Sequence, residues 1–307
     1  LENWSKKKDI LKELKEMNID IDFECDPFSR VILTNCSKTK DINSKRPLFY
    51  LVKRGSFSGT IDHSLKAQAL KSGVSIHFRK TLSPNEVNIV ATGPFPKEVV
   101  GVVRGIVFDT NDNNMAVIAL NDKLAFKGYS YLLITKKCGC ICTVVLRDQG
   151  CRVDRYFEKT KRFFVQRFNL DIQSFKKVGG VGSFSLKNVK EGAALYIGEA
   201  AGLQDFLWGF GMRFAITSGY LAAQSIISNR GYEKIAKRHF GNRLKAGVVN
   251  RYLWENLLCR KDYLFLIGAA EFVKKNMFSM HNFNTLQRMV YPLALLNLKK
   301  KYPKLES

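Results

Sequence analysis

The chain has 307 residues, with 50 Lys and Arg against 27 Asp and Glu, a formal charge of +23, 46% hydrophobic residues and 25% charged residues. That much apolar surface can offset the entropy of ordering the chain, which excludes disorder, a collagen-like repeat and a small disulfide-stapled fold. Seven cysteines, at positions 25, 36, 138, 140, 142, 151 and 259, form no regular framework and point to a reducing compartment, read here as the cytoplasm.

Trp4, Ile10, Leu11, Leu14 and Met17 recur at helical spacing, so a helix is expected over 5–17 with Ser5 as its cap and lysines on the other face. These polar first residues do not read as a secretory leader. Phe49–Val52 is a short apolar run, followed by Arg54, a glycine turn and a predicted helix from Ile61 to Lys71 that stops at Gly73. Ser75–Phe78 and Glu86–Ala91 read as strands, the second closing on Thr92-Gly93-Pro94. From Val99 to Leu146, four strand-like runs alternate with turns such as Thr110-Asn111-Asp112-Asn113, predicting a mainly antiparallel sheet.

Asp154–Phe168 has the pattern of a helix with a basic face, and Phe175–Leu186 is extended, with glycines at 179, 180 and 182. A buried strand, Ala194–Ile197, leads into GEAAGLQDFLWGFGMRFA and a long apolar helix reaching about Ile227. Helical hairpins are expected from Gly231 to Leu298. The apolar run Tyr263–Val273 is cut by Glu271 and is too short to cross a bilayer.

The basic excess is concentrated at the end of the chain: from Arg230 to Ser307 there are 16 Lys and Arg against five Asp and Glu. Such a field suits a solvated Lys-rich surface, an anionic membrane surface or nucleic acid. No basic patch with interleaved stacking aromatics is present, so nucleic acid is the least favoured partner and peripheral contact with an anionic membrane is kept.

Chemistry is concentrated in Gly198-Glu199-Ala200-Ala201-Gly202, directly after a strand, and Gly209-Phe210-Gly211-Met212, directly before a helix. Small residues let backbone approach a ligand, a carboxylate at a strand end can accept from sugar hydroxyls, and free N–H groups at a helix start suit electron-rich oxygens. The same residues could equally form a packing seam between helix and sheet.

This run, with Ser218-Gly219 and Ala222-Ala223 after it, resembles the G-D-A-A-G-x-x-D-P-x-x-G-E-G-I passage of flavoprotein oxidoreductases of the para-hydroxybenzoate hydroxylase superfamily, and within it the geranylgeranyl reductase group. Glu199 stands for the usual Asp, Phe206 for Pro and Phe210 for Glu. Arg54 with Asp62, Leu65, Ala69 and Gly73 is similar to a second family passage, and Ala91-Thr92-Gly93 to a third. Gly128-Tyr129-Ser130-Tyr131 falls where the group carries a Y-x-W-x-F-P substrate motif.

The resemblance implies an α/β (α+β) fold in which an incomplete FAD-binding Rossmann-like domain is joined to an antiparallel-sheet substrate domain and a C-terminal helical region. It implies segments 1–98 and 179–228 for the first domain, 99–178 for the second and 229–307 for the helices. Bound FAD is expected to meet Arg54, Gly93, Glu199, Gly202, Asp205, Gly209, Gly211 and Met212. Tyr129, Tyr131, Trp208 and Phe210 are expected to meet substrate.

The implied activity is hydride transfer from flavin to a C=C bond of an isoprenoid or other apolar substrate, with electrons from NAD(P)H or a ferredoxin. A flavin monooxygenase or halogenase of the same fold, the latter without the tunnel Lys and Trp-rich motif it would want, or a split or non-catalytic flavoprotein fragment, are the alternatives. The family's G-x-G-x-x-G unit is not found in the sequence, and LENWS looks like the passage that follows it. An additional upstream unit is therefore expected, without which FAD should bind poorly.

No metal site is expected. Cys138, Cys140 and Cys142 alternate on one predicted strand and read first as small apolar residues, then as redox groups. His63, His77, His239 and His281 have no partner in recognisable spacing and read as structural. Phe163, Phe164, Trp254 and Phe265 suit a core or the wall of an apolar tunnel.

Overall fold

The computed structural model describes residues 1–94, 100–136, 138–146, 152–186, 188–256 and 281–302. Tyr263–Val273, Phe265, Cys151 and Cys259 lie outside the described residues. Helix α1 spans Ile10–Glu16, starting five residues later than the sequence pattern suggested. Asp9 caps it by accepting the Leu11 N–H, and Asn3 Oδ1 accepts the Ile10 N–H. Ser5 instead donates to the Glu2 carboxylate, so the nearer cap candidate is used in a tertiary contact.

Strand β1 (Cys25–Phe28) pairs antiparallel with β4 (Phe49–Val52), and between them in sequence lies the hairpin of β2 (Arg30–Thr34) and β3 (Thr39–Asn43). Helix α2, Ile61–Lys71, matches its predicted bounds because its signals are local: Thr60 accepts the His63 N–H, and the chain turns at Gly73 with φ +85°.

The strand expected at Ser75–Phe78 does not form. Val74, Ile76 and Phe78 keep the alternation of a strand, yet no described strand pairs with them and Phe78 is 73% exposed. Alternation selects a face; a ladder also needs a neighbour. Of the predicted Glu86–Ala91 strand only β5, Ile89–Val90, is paired. Its start is a 3₁₀ turn, Pro84–Glu86, where the Glu86 carboxylate takes the Ser83 N–H.

The four strands anticipated after Val99 are β6 (Gly101–Asp109), β7 (Met115–Ala119), β8 (Tyr129–Thr135) and β9 (Cys138–Leu146). Helix α3 (Val153–Phe168) and edge strand β10 (Ser174–Gly182) follow. The sheet has seven strands in the order β10-β6-β9-β8-β7-β2-β3, antiparallel except where β2 joins β7 in parallel. Residues 30–43 therefore contribute two strands to it. Phe157 and Phe164 of α3 pack on one face of the sheet, over Ile106, Leu132, Ile134 and Ile141. Tyr129, Tyr131 and Leu133 of β8 alternate with those residues and point to the opposite face.

A second, three-stranded sheet pairs β11 (Lys190–Glu191) antiparallel with β12 (Ala194–Tyr196), and β12 parallel with β5. Helix α4 (Met212–Ile227) lays Phe214 and Ala222 on this sheet beside Tyr232, Ala236 and Phe240 of α5 (Tyr232–Asn256). Helix α6 (Thr285–Lys301) packs against α5 through Ala294 and Leu298. The architecture is mixed α/β, as the sequence implied.

Candidate functional site

A cavity of about 420 Å³ lies between the open face of the seven-stranded sheet and the loop that leads into α4. The sheet supplies Val103, Tyr129, Tyr131, Leu133, Val144 and Leu146; the opposite wall is Phe49–Val52, Trp4, Gln204 and residues 206–213. Of the sequence-predicted site residues, Gly209, Gly211, Met212, Tyr129, Tyr131, Trp208 and Phe210 meet here.

The loop holds its shape through Asp205. Its Oδ1 accepts the N–H groups of Leu207 at 3.0 Å and Trp208 at 2.6 Å, and the Gly209 N–H donates to its backbone carbonyl at 2.9 Å. Asp205 is thus occupied inside the loop, 4% exposed, with His281 Nδ1 at 3.6 Å from Oδ2. Burial lowers the pKa of that imidazole, and the Asp205 charge works against the shift. Tyr129 fixes the other side of the loop: its hydroxyl donates to the Trp208 carbonyl, and the two rings meet edge to face at 5.4 Å. Burial raises the Tyr129 and Tyr131 phenol pKa values, so both hydroxyls keep their protons. Tyr129→Phe leaves the Trp208 carbonyl without this donor; a stability loss of about 1 kcal/mol in urea denaturation is expected, with a change in tryptophan fluorescence.

Gly211, the N-cap of α4, has no side chain to cap the helix, and Gly211, Met212 and Arg213 line the cavity, so the positive end of this helix faces it. A Cβ on Gly209 or Gly211 would meet only the Gln204 amide, at 4.0 and 3.5 Å. The site can therefore hold a flat group with an electron-rich edge at the helix start and an apolar body against the aromatic walls, and these residues fit a flavin ring.

Other predicted residues lie elsewhere. Arg54 is bound by Asp62 in a bidentate pair of 2.7 and 2.9 Å at the surface. Gly93 has φ +76° and open space around it. Gly202 has φ +66°, and a Cβ there would lie 2.1 Å from Ser185 Oγ, so this glycine is required by a protein neighbour. Glu199 is half-buried and does not line the cavity; its Oε1 accepts the Ser183 N–H at 2.7 Å, one residue from the lining residue Gly182. Burial raises its pKa despite that bond. The turn that carries Glu199 is tied to α4 by the Gly198 N–H, which donates to Ser218 Oγ.

Sequence reasoning passed over Arg213, Arg251 and Trp4. Arg213, 2% exposed, reaches from the first turn of α4 to the Glu13 carboxylate at 2.7 Å and to Glu2 at 3.8 Å; Arg243 also pairs with Glu2. Arg251 binds Glu255 at 2.7 Å and the Leu207 carbonyl at 3.4 Å, clamping the cavity loop to α5. A lone arginine early in an apolar helix was the available signal for the first, and the i,i+4 Arg–Glu pair for the second. Trp4 meets Phe210 edge to face at 4.9 Å, a contact over 200 residues of chain that no local pattern announces. Cys140 and Cys142 lie side by side on β9, the second bonded to Tyr131. Among the described residues, no group of three or more His, Cys, Asp and Glu could hold a metal ion.

No protein-family model matches the chain, and no curated protein sequence matches it. Solved structures do resemble it. The flavin-dependent brominase Bmp2 has a TM-score of 0.62 at 14% identity, covering 94% of this chain and 87% of that one. A geranylgeranyl bacteriochlorophyll reductase-like protein from Thermoplasma acidophilum has a TM-score of 0.59 at 16% identity, covering 95% and 85%. The flavin-dependent halogenase CmlS has a TM-score of 0.53 at 11% identity, covering 94% and 67%. At these identities the likeness is one of architecture, and this chain has the fold shared by those flavin-dependent halogenases and the reductase-like protein.

Proposed function

We propose that the protein is an FAD-dependent oxidoreductase that reduces a C=C bond of an isoprenoid-class or similarly apolar substrate. The observation that carries this reading is the cavity itself, with a bare helix start on one side and an aromatic and aliphatic sheet face on the other. When bound there, FAD supplies the hydride chemistry. The chain's own residues bind, orient and exclude water. The amides at the start of α4 would face the ring's electron-rich edge and favour negative charge there, and Gln204 would supply a polar group beside it. Trp208, Phe210 and Leu133 close an apolar space, and Tyr131 holds a proton on its hydroxyl at that wall. Electrons come from a nicotinamide or ferredoxin-class donor.

Reduction is favoured over halogenation by the cations at the wall. Among the described lining residues these are Arg213 and Arg251, both held by carboxylates, so neither is free to engage an oxidised halide.

Titration with FAD and with FMN, followed by flavin fluorescence, tests the cofactor reading, since the two share the ring and ribityl that this cavity accepts. Because FAD is expected to bind poorly without the upstream unit, weak but saturable quenching is expected from both. Gly211 has φ −114°, which any residue can adopt, and Gly211→Asp places a carboxylate at the positive helix start and at the ring edge. It should leave the thermal midpoint unchanged or raised while weakening flavin binding by about tenfold, or ~1.4 kcal/mol. Absence of quenching, or equal affinity in this variant, defeats the assignment.

A further inference from the structure

We propose that the outward face of α6 docks on an anionic lipid bilayer. This helix already has a core side: Gln287, Ala294 and Leu298 are buried, the last two in the same cluster as Phe184 and Phe206 of the cavity wall. On its other side stand Leu286, Met289, Leu293 and Leu296, which are 69%, 76%, 58% and 61% exposed. Steps of three, four and three residues keep them on one stripe, roughly 15 Å long. Four long apolar side chains exposed in a row on a helix whose opposite side already packs on the described core mark a contact surface.

Charge selects the occupant. The sequence of α6, TLQRMVYPLALLNLKKK, has no acidic residue, and its exposed Lys300, one turn beyond Leu296, continues the line of the stripe. Among the described residues, the carboxylate that pairs with its C-terminal end, Glu255, is buried and taken up by Arg251 and Lys301. The surrounding quarter of the chain, from Arg230, has 16 basic against five acidic residues. An apolar stripe that ends among cations matches the boundary between acyl chains and anionic headgroups, where leucine and methionine enter the hydrocarbon and Lys and Arg meet phosphates. No described helix is long and apolar enough to cross a membrane, so α6 lies in the plane of the surface. Phe184 and Phe206 separate α6 from the cavity by one layer of side chains, so a lipid-dissolved substrate would reach the site over a short path. That last consequence rests on the reductase reading; the docking surface does not.

The test is flotation of the full chain with vesicles of phosphatidylcholine alone and of an equimolar mixture with phosphatidylglycerol, with no flavin or substrate added. The chain should float with the mixed vesicles, remain behind with the neutral ones, and be released by salt. Met289→Glu with Leu293→Glu, and separately Lys299→Glu with Lys300→Glu, should each lower the partition by on the order of tenfold with unchanged circular dichroism. Failure to float with mixed vesicles overturns the proposal, as does flotation that both double variants leave intact. Conversion of a dimer to a monomer by Met289→Glu with Leu293→Glu, without vesicle binding, assigns the stripe to a second copy of the chain and also overturns it. Flavin quenching is measured separately, so either idea can fail while the other stands.

Discussion

Arg213→Leu should lower the stability of the protein by about 3–5 kcal/mol, the cost of breaking a buried ion pair from one side. The substitution leaves Glu13 with Lys6 at 3.5 Å, and Glu2 with Arg243 and the Ser5 hydroxyl, both carboxylates nearly out of water. Urea denaturation followed by circular dichroism reads the loss, and Arg213→Lys should recover part of it. Acid sharpens the test. Burial by itself would raise the Glu2 carboxyl, but Arg243 and Arg213 outweigh it and hold the group at about 2, against an ordinary value of 4.5. A carboxyl lowered in the folded state binds fewer protons there than in the unfolded chain, so its contribution is complete above about 4.5 and disappears as the pH falls toward 2. That contribution is roughly 3 kcal/mol. With one cation removed, the carboxyl rises and the acid-unfolding midpoint should move to higher pH. An unchanged midpoint would show that Arg243 alone sets the Glu2 charge. Because Arg213 sits in the first turn of the helix that faces the cavity, flavin affinity should fall with stability.

Gly202→Ala should be nearly as damaging, by about 2–5 kcal/mol, from left-handed backbone strain together with overpacking. At φ +66° the new methyl group would lie 2.1 Å from Ser185 Oγ and 2.6 Å from its carbonyl oxygen, and the backbone atom cannot rotate away. Thermal unfolding should show the loss with or without flavin. The contrast with Gly211→Asp is the informative part: one glycine of the motif is required by the fold and the other faces the cavity, so only the second should separate flavin affinity from stability. Selective loss of flavin affinity in Gly202→Ala, with the thermal midpoint retained, would return this glycine to the binding surface.

These two glycines show how far the sequence could be read. The antiparallel strands after Val99, the bounds of α2 and the glycine-rich passage before α4 were legible, because capping, alternation and turn chemistry act between residues a few positions apart, whereas the three strands within Cys25–Asn43 were not anticipated. The resemblance carried by that passage implied the fold, and several of the residues it singled out do meet at one cavity. The same passage could not tell which of its polar groups were occupied. Asp205 is spent on its own loop, Arg54 on Asp62, and Gly202 on Ser185.

What only the tertiary structure decided are pairings over long separations. Thr34 of β2 accepts Ala119 of β7 as its parallel neighbour, Trp4 closes on Phe210, and Arg213 finds Glu2 and Glu13 two hundred residues back. Ser75–Phe78 marks the opposite case, a correct alternation with no described partner to pair with. Local sequence fixes the conformations a segment prefers, since those depend on its own dihedrals and nearest side chains. Burial, charge compensation and the shape of a cavity depend on which distant surfaces the whole chain brings together, and that is settled by the total free energy of the packed molecule.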